Sequence, residues 1–411
     1  MSDWKPEDFA VPEDPDRDRF HDFCLPDPLL HAIADLNFEY CTPIQSAVLP
    51  ASLADYDVTG QAQTGTGKTA AFLITILTRL WEEPDLTPRP PGTPRALVLA
   101  PTRELAMQIE SDALDLAKYM NIGVQCVVGG IDFQKQLDRL QNETVHLLAA
   151  TPGRLLDFIN RRKINLRQTD MLVIDEADRM LDMGFIPDVR RIVYQTPHKR
   201  SRQTLFFSAT FNDAVMRLAN SWTLDPEHVV IEPEQVATET VTQYFWLVSA
   251  DRKARLLADF LERAEPARAL IFTNRRDQTH QLQKFLSSRN IRCESLAGDV
   301  PQRKRMSTLE RFKNGDIPYV VATDVAGRGI HVDGVSHVVN FDLPEDPEDY
   351  VHRIGRTGRA GAEGVSISFV SEDDAFNLPA IETYLGNSVV CTQPDIPGAA
   401  TPTAVSESTP S

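Results

Sequence analysis

Two similar-sized α/β domains in tandem, each a parallel sheet covered by helices, are predicted by three features of the 411-residue chain. Short β-branched runs alternate with helix-like stretches twice over, the pattern of buried parallel strands joined by helical crossovers. A Gly/Thr-rich loop ending in Lys68-Thr69 separates the strand-like run at Val58 from the helix-like segment Ala70-Ala-Phe-Leu-Ile-Thr-Ile-Leu77. Asp175-Glu176-Ala177-Asp178 directly follows the apolar run Met171-Leu-Val-Ile174, at the strand end where α/β sheets present their ligands. A chain of this length has room for two full cores.

In chain order, residues 1–19 are acidic, carry prolines and lack apolar periodicity, so a flexible lead is expected. The first domain, 20–232, contains the strand candidates 96–100, 124–128, 147–150, 171–174 and 204–207. At 233–240 the apolar pattern lapses into Glu, Gln, Thr and Ala, as in a linker. The second domain, 241–391, has candidates at 244–248, 269–272, 319–322, 337–340 and 365–369. From 392 to 411 the low complexity predicts a disordered tail.

Composition narrows the function. Hydrophobic content of 42% and charged content of 25% are those of a soluble globular protein. No apolar run reaches the length of a membrane span, and the N-terminus lacks the regions of a secretory signal. Five scattered cysteines without a Cys-x-x-Cys pair argue against a zinc or disulfide framework and for a reducing, cytoplasmic setting. The formal charge of −17 weakens tight, salt-driven nucleic-acid binding. It leaves room for phosphates held by helix N-termini and a few placed arginines.

The loop has the chemistry of a phosphate cradle. Ala62, Gln63, Thr64, Gly65, Thr66 and Gly67 form a loop whose glycines let the backbone wrap a phosphate with its N–H groups inward, with Ala62 where the strict pattern has Gly. Lys68 would reach the β- and γ-phosphates, and the Thr69 hydroxyl would ligate Mg²⁺. Asp175 would hold the same Mg²⁺, largely through water, and Glu176 would orient and polarise the attacking water. Together the two elements predict hydrolysis of a nucleoside triphosphate.

With Pro101-Thr-Arg-Glu-Leu105, Gly129-Gly130, Thr151-Pro-Gly-Arg154, Ser208-Ala-Thr210, Ala322-Thr-Asp-Val-Ala-Gly-Arg-Gly-Ile330 and His352-Arg-Ile-Gly-Arg-Thr-Gly-Arg359 in order, the chain resembles the DEAD-box RNA helicases from Phe20 to about residue 370. The resemblance implies two tandem RecA-like domains, a P-loop NTPase fold of the superfamily 2 helicase core. It implies an ATP- and Mg²⁺-using, RNA-dependent ATPase that locally unwinds short RNA duplexes. In Thr42-Pro-Ile-Gln45, Gln45 would bond the adenine edge and Phe20 would stack on the base; Asn37 replaces the usual Gly. Arg356 and Arg359, spaced to share one helix surface, would be arginine fingers. RNA contacts would come from Arg103, Gly130, Thr151 and Arg154 in the first domain and Gly298, Gln302, Arg305 and Thr323 in the second. Most would reach phosphates and sugars, so sequence specificity should be poor and 2′-hydroxyls should select RNA. Asp178, Ser208, Thr210 and His352 would couple hydrolysis to strand separation. Asp178 and the Gln45 element speak against a DNA helicase.

The segments 60–69, 299–300 and 377–384 are similar to the branch of the family that serves the bacterial RNA degradosome. That likeness implies a role in RNA degradation, with an RNase E-type scaffold as partner. Two departures accompany it, one from that branch and one, shared with that branch, from the wider family. Residues 392–411 carry no Lys or Arg where that branch has an Arg-rich tail, and His331 stands where most of the family has Asp.

Overall fold

Four-residue strands of Val, Leu, Ile and Ala, buried on both faces, form the centre of the N-terminal unit. The computed structural model describes residues 4–62, 65–85, 89–231, 241–298, 300–324, 334–358 and 364–394, with Gln302 described by its backbone alone. They divide between two compact units, Met1–Pro233 and Glu234–Ser411. The linker expected at 233–240, His331 and residues 395–411 of the expected tail lie outside the described residues.

The first unit has strands β1 (Val58–Gln61), β2 (Ala96–Leu99), β3 (Val124–Val127), β4 (Leu147–Ala150), β5 (Met171–Ile174), β6 (Gln203–Ser208) and β7 (Glu227–Val230). All are parallel, in the order β3-β4-β2-β5-β6-β1-β7. Side chains alternate between the two faces. Val98, Val173 and Phe207 pack on one side with Phe72 and Ile109. Leu97, Leu172 and Phe206 pack on the other with Phe158 and Trp222. The covering helices are α1 (Asp27–Asp35), α2 (Pro43–Leu53), α3 (Lys68–Glu82), α4 (Arg103–Leu116), α5 (Phe133–Asn142), α6 (Pro152–Asn160), α7 (Ala177–Asp182), α8 (Ile186–Val193) and α9 (Asp213–Trp222).

The second unit repeats this plan. Its strands are β8 (Val241–Leu247), β9 (Ala269–Thr273), β10 (Cys293–Leu296), β11 (Tyr319–Thr323), β12 (His337–Asn340), β13 (Gly364–Val370) and β14 (Cys391–Thr392). They are parallel in the order β10-β11-β9-β12-β13-β8-β14. Its helices are α10 (Lys253–Ala264), α11 (Arg276–Ser288), α12 (Gln302–Lys313), α13 (Pro347–Ile354) and α14 (Leu378–Leu385). Among the described residues no helix is long and apolar enough to cross a membrane.

Two expectations are corrected. Residues 4–19 are not a free lead: Trp4 stacks on His31, which stacks on Tyr119 at 3.8 Å, and the Tyr40 hydroxyl donates to Pro12 O at 3.0 Å. Isolated anchors fasten the segment, so it carries no periodic signal. Strands β7, β10 and β14 were not expected, because these edge strands are partly exposed or only two residues long and carry no continuous apolar run, unlike the edge strand β3, which is buried throughout.

His146, just before β4, accepts a hydrogen bond on Nδ1 from Gly123 N at 2.8 Å. Burial pushes its pKa below the ordinary value. The folded state therefore binds fewer protons than the unfolded one just below about pH 6.5, so this contribution is full above that pH and is lost as pH falls through the folded pKa. His146→Gln should lose less stability than the parent between about pH 8 and about pH 5, read from urea unfolding. Equal losses would remove His146 as the cause.

Candidate functional site

The turn after β1 carries the first part of the site. Gly67 takes φ +97°, and a Cβ there would lie 2.6 Å from Gln45 Nε2, so the position admits only Gly. Lys68 opens α3 and is buried, with Nζ donating to Ala62 O. Burial pushes its pKa down, while Asp175, Glu176 and Asp178 pull it up. Thr69 lies in the same helical turn. Gln63 and Thr64 lie outside the described residues.

Gln45 and Phe20, expected at the base, have the following partners in the structure. Gln45 Oε1 accepts from Thr42 N at 2.9 Å and Nε2 donates to Gly67 O at 3.1 Å. These two bonds clamp the loop to the start of α2 and leave the amide one N–H and one oxygen lone pair for a base. Phe20 is fully buried in the core, its ring centroid 6.4 Å from that of Phe38. The core around it encloses the ring in this conformation.

The carboxylates stand two strands away, with β6 between β1 and β5. Asp175 is buried, and burial pushes its carboxyl up to about 7 against the opposing pull of Lys68. Its Oδ1 accepts from Glu176 N at 2.9 Å. Glu176 takes φ +53°, a left-handed backbone that turns the chain sharply from β5 into α7. Its Oε2 lies 2.7 Å from Arg179 Nη1, but at an angle that makes an ion pair and no hydrogen bond. Glu176 Oε2 is thus a buried acceptor with no hydrogen-bond donor among the described residues.

Asp178, Ser208 and Thr210 are brought together. Asp178 Oδ2 accepts from Ala209 N at 2.9 Å and Thr210 N at 3.0 Å, and Asp178 N donates to Ser208 Oγ at 3.2 Å. Ser208 O in turn accepts from Ala62 N at 3.2 Å. One residue at the end of β6 therefore joins the phosphate loop to the acidic turn.

Candidate RNA contacts occupy the other half of the same sheet edge, after β2, β3 and β4. The Arg103 guanidinium lies against Gly129, where an added Cβ would stand 3.2 Å from Nη2. Gly130 takes φ +76°, Thr151 precedes α6, and Arg154 Nη1 donates to Ile131 O at 3.2 Å. Nucleotide candidates follow β1, β5 and β6. The sheet order thus sorts the two groups onto neighbouring stretches of one edge.

In the second unit, Gly298 follows β10, Arg305 is buried on α12, and Thr323 closes β11. His352 Nδ1 lies 3.9 Å from Asp349 Oδ1, and its carbonyl accepts from Arg356 Nε at 3.1 Å. Arg356 is buried, and Arg359 lies outside the described residues. The sequence reading missed Arg353. Its Nε and Nη2 grip Asp324 at 2.6 and 2.7 Å, Nη2 also reaches Asn274 Oδ1 at 2.7 Å, and Nη1 reaches Asp342 O at 2.6 Å. The available signal was an Arg and an Asp in two separate motifs, a pairing visible only once β11 and α13 are adjacent.

Comparison with known proteins agrees with this layout. Residues 42–218 match the DEAD/DEAH box helicase family, and residues 252–361 match the helicase conserved C-terminal domain. The chain is 56% identical over 376 residues to the ATP-dependent RNA helicase RhlB of Pseudomonas aeruginosa, covering 92% of this chain and 95% of that protein. Against RhlB of Xanthomonas oryzae it is 46% identical over 371 residues, covering 90% of this chain and 64% of that protein. S. cerevisiae Dbp5 bound to RNA and ADP BeF3 is similar with a TM-score of 0.80 and 31% identity, covering 91% of this chain and 95% of that one. Mss116p bound to ssRNA and AMP-PNP gives a TM-score of 0.81 at 29% identity, covering 94% and 82%. With a phosphate cradle, an Asp-Glu-Ala-Asp turn and this degree of identity along nine-tenths of its length, the chain belongs to the DEAD-box family of ATP-dependent RNA helicases.

Proposed function

We propose that this chain hydrolyses ATP to separate short RNA duplexes locally, in the service of RNA degradation by a nuclease complex. The observation that carries the reading is the bonded chain from Ala62 through Ser208 to Asp178. It ties the phosphate loop, the acidic turn and the Ser208–Thr210 segment into one unit, so a change at the γ-phosphate reaches all three. Lys68 neutralises phosphate charge, Glu176 takes the proton side of the attacking water, and Arg356 with Arg359 stabilises charge on the transferring group. Arg103, Gly130, Thr151, Arg154, Gly298, Gln302, Arg305 and Thr323 hold the RNA backbone.

Mg²⁺ fits the residues present. Among the described residues no three His, Cys, Asp or Glu side chains form a metal cage, and Mg²⁺ characteristically uses one or two carboxylates, water and substrate phosphates instead. The buried Asp175 carboxyl, raised by desolvation, is the group a divalent ion would relieve, with Thr69 beside the phosphates. When bound, the ion neutralises charge on the β- and γ-phosphates. The scattered, unpaired-in-sequence cysteines support a cytoplasmic setting, and the likeness of segments 60–69, 299–300 and 377–384 to the degradosome branch supports an RNase E-type scaffold as partner.

Steady-state ATPase with no nucleic acid, RNA or DNA, each with and without an RNase E segment, tests the reading. RNA should stimulate and DNA should not, and ATP and RNA should tighten each other's binding by the same factor. Equal stimulation by DNA would overturn RNA selectivity, and no stimulation by RNA would overturn the coupled mechanism.

A further inference from the structure

The chain carries 42 Lys and Arg against 59 Asp and Glu, yet from Val189 to Asn212 it has five Lys and Arg and no acid. Two of these, Arg190 and Arg191, lie in the last turn of α8. Between α8 and α6 is a groove of about 270 Å³, floored by Leu156 and Ile159 and rimmed by Arg190, Arg191 and Tyr194. Tyr194 is 91% exposed. A ring so open has an unused face on which a base can stack.

The groove and the candidate RNA edge are linked by α6, whose Arg154 and C-cap Arg161 share the face opposite the groove and whose C-terminal end, from Asn160 in the groove to Arg161, joins the two. Phe133 stacks on Phe158 with centroids 4.4 Å apart. The Arg154 guanidinium stands 5.8 Å from the Phe133 ring and that of Arg161 4.5 Å from it. Those two arginines are seven positions apart, about 10 Å along a helix. Cations therefore run from the sheet edge down α6, past the exposed Arg162 and Lys163, to the groove. Two acids interrupt the track: Asp157 pairs with Arg161 at 2.7 Å, and Asp188 faces Arg191 at 3.6 Å. These pairs are solvent-exposed and weak in water, so phosphates can replace them.

We propose that this face binds single-stranded RNA extending beyond the strand held at the sheet edge. Arg161, Arg190 and Arg191 contact phosphates there, and Tyr194 stacks on a base. Continuity with Arg154 and the open ring favour RNA over an acidic peptide. The assignment rests on the reading of Arg103, Gly130, Thr151 and Arg154 as RNA contacts.

The test uses the full chain and its Arg190→Ala/Arg191→Ala and Tyr194→Ala variants, with a short oligoribonucleotide and the same strand extended at its 5′ or 3′ end. For one extended strand, Tyr194→Ala should weaken binding about tenfold. The double variant should flatten the salt dependence by about 1.4, at about 0.7 per lost phosphate contact. ATPase stimulation by the short strand should stay at the parent level in both. Parent-level affinity and slope for both extended strands, with short-strand stimulation intact, would overturn this proposal alone. Equal weakening for short and extended strands would also overturn it, placing the residues in the core contact. Polyglutamate that binds the parent but not the double variant, with RNA affinity unchanged, would assign the groove to an acidic peptide. Failure of any RNA to stimulate the parent would instead defeat the underlying RNA reading.

Discussion

Glu176→Gln is expected to lower ATP hydrolysis by about 10²–10⁴-fold while ATP still binds. The amide keeps an oxygen in place but loses the charge that draws a proton from water. Lys68→Ala should fail differently. It removes the buried cation opposing Asp175, Glu176 and Asp178, and with it a charge-assisted phosphate contact worth about 1.5–3 kcal/mol, so ATP affinity should fall about 10- to 150-fold. Nucleotide titration alongside single-turnover hydrolysis separates the two effects. The Gln variant should also hold RNA longer than the parent in ATP, because ATP and RNA tighten each other's binding and the bound ATP is not consumed. Equal loss of ATP binding in both variants would show that the roles are misassigned. Unfolding of each variant is the necessary control, since Glu176 also pairs with the buried Arg179 at 2.7 Å.

Arg353→Ala should destabilise the second unit by about 3–5 kcal/mol, the cost of leaving one partner of a buried ion pair behind. Arg353 is 2% exposed, and its hydrogen bonds run to Asp324, Asn274, Asn340 and Asp342. They fasten the C-terminal ends of β9, β11 and β12 to α13, the helix that carries His352. Arg353→Lys keeps the charge but cannot reproduce the fork, so it should recover only part of the loss. Hydrogen exchange on the full chain gives the readout: protection should fall across β9, β11 and β12 and stay unchanged in the first unit. Parent-like protection in both variants would refute the role.

The phosphate loop, the Asp-Glu-Ala-Asp turn and the central strands were legible in the sequence because each depends on neighbours along the chain. A Gly that must take φ +97°, a Lys opening a helix and acids ending an apolar strand are local consequences of backbone geometry. The sequence alone also determined the doubled parallel architecture, since strands buried on both faces must be continuously apolar. Tertiary structure decided how side chains from distant segments meet. The Gln45 amide found Gly67 O, 22 residues on. Phe20 is fully buried in the core, and the anchors of residues 4–19 have no period to read. Arg353 found Asp324, 29 residues back, because β11 and α13 end side by side. Such pairings are chosen by packing and desolvation among residues far apart in sequence, and local patterns carry no record of those partners.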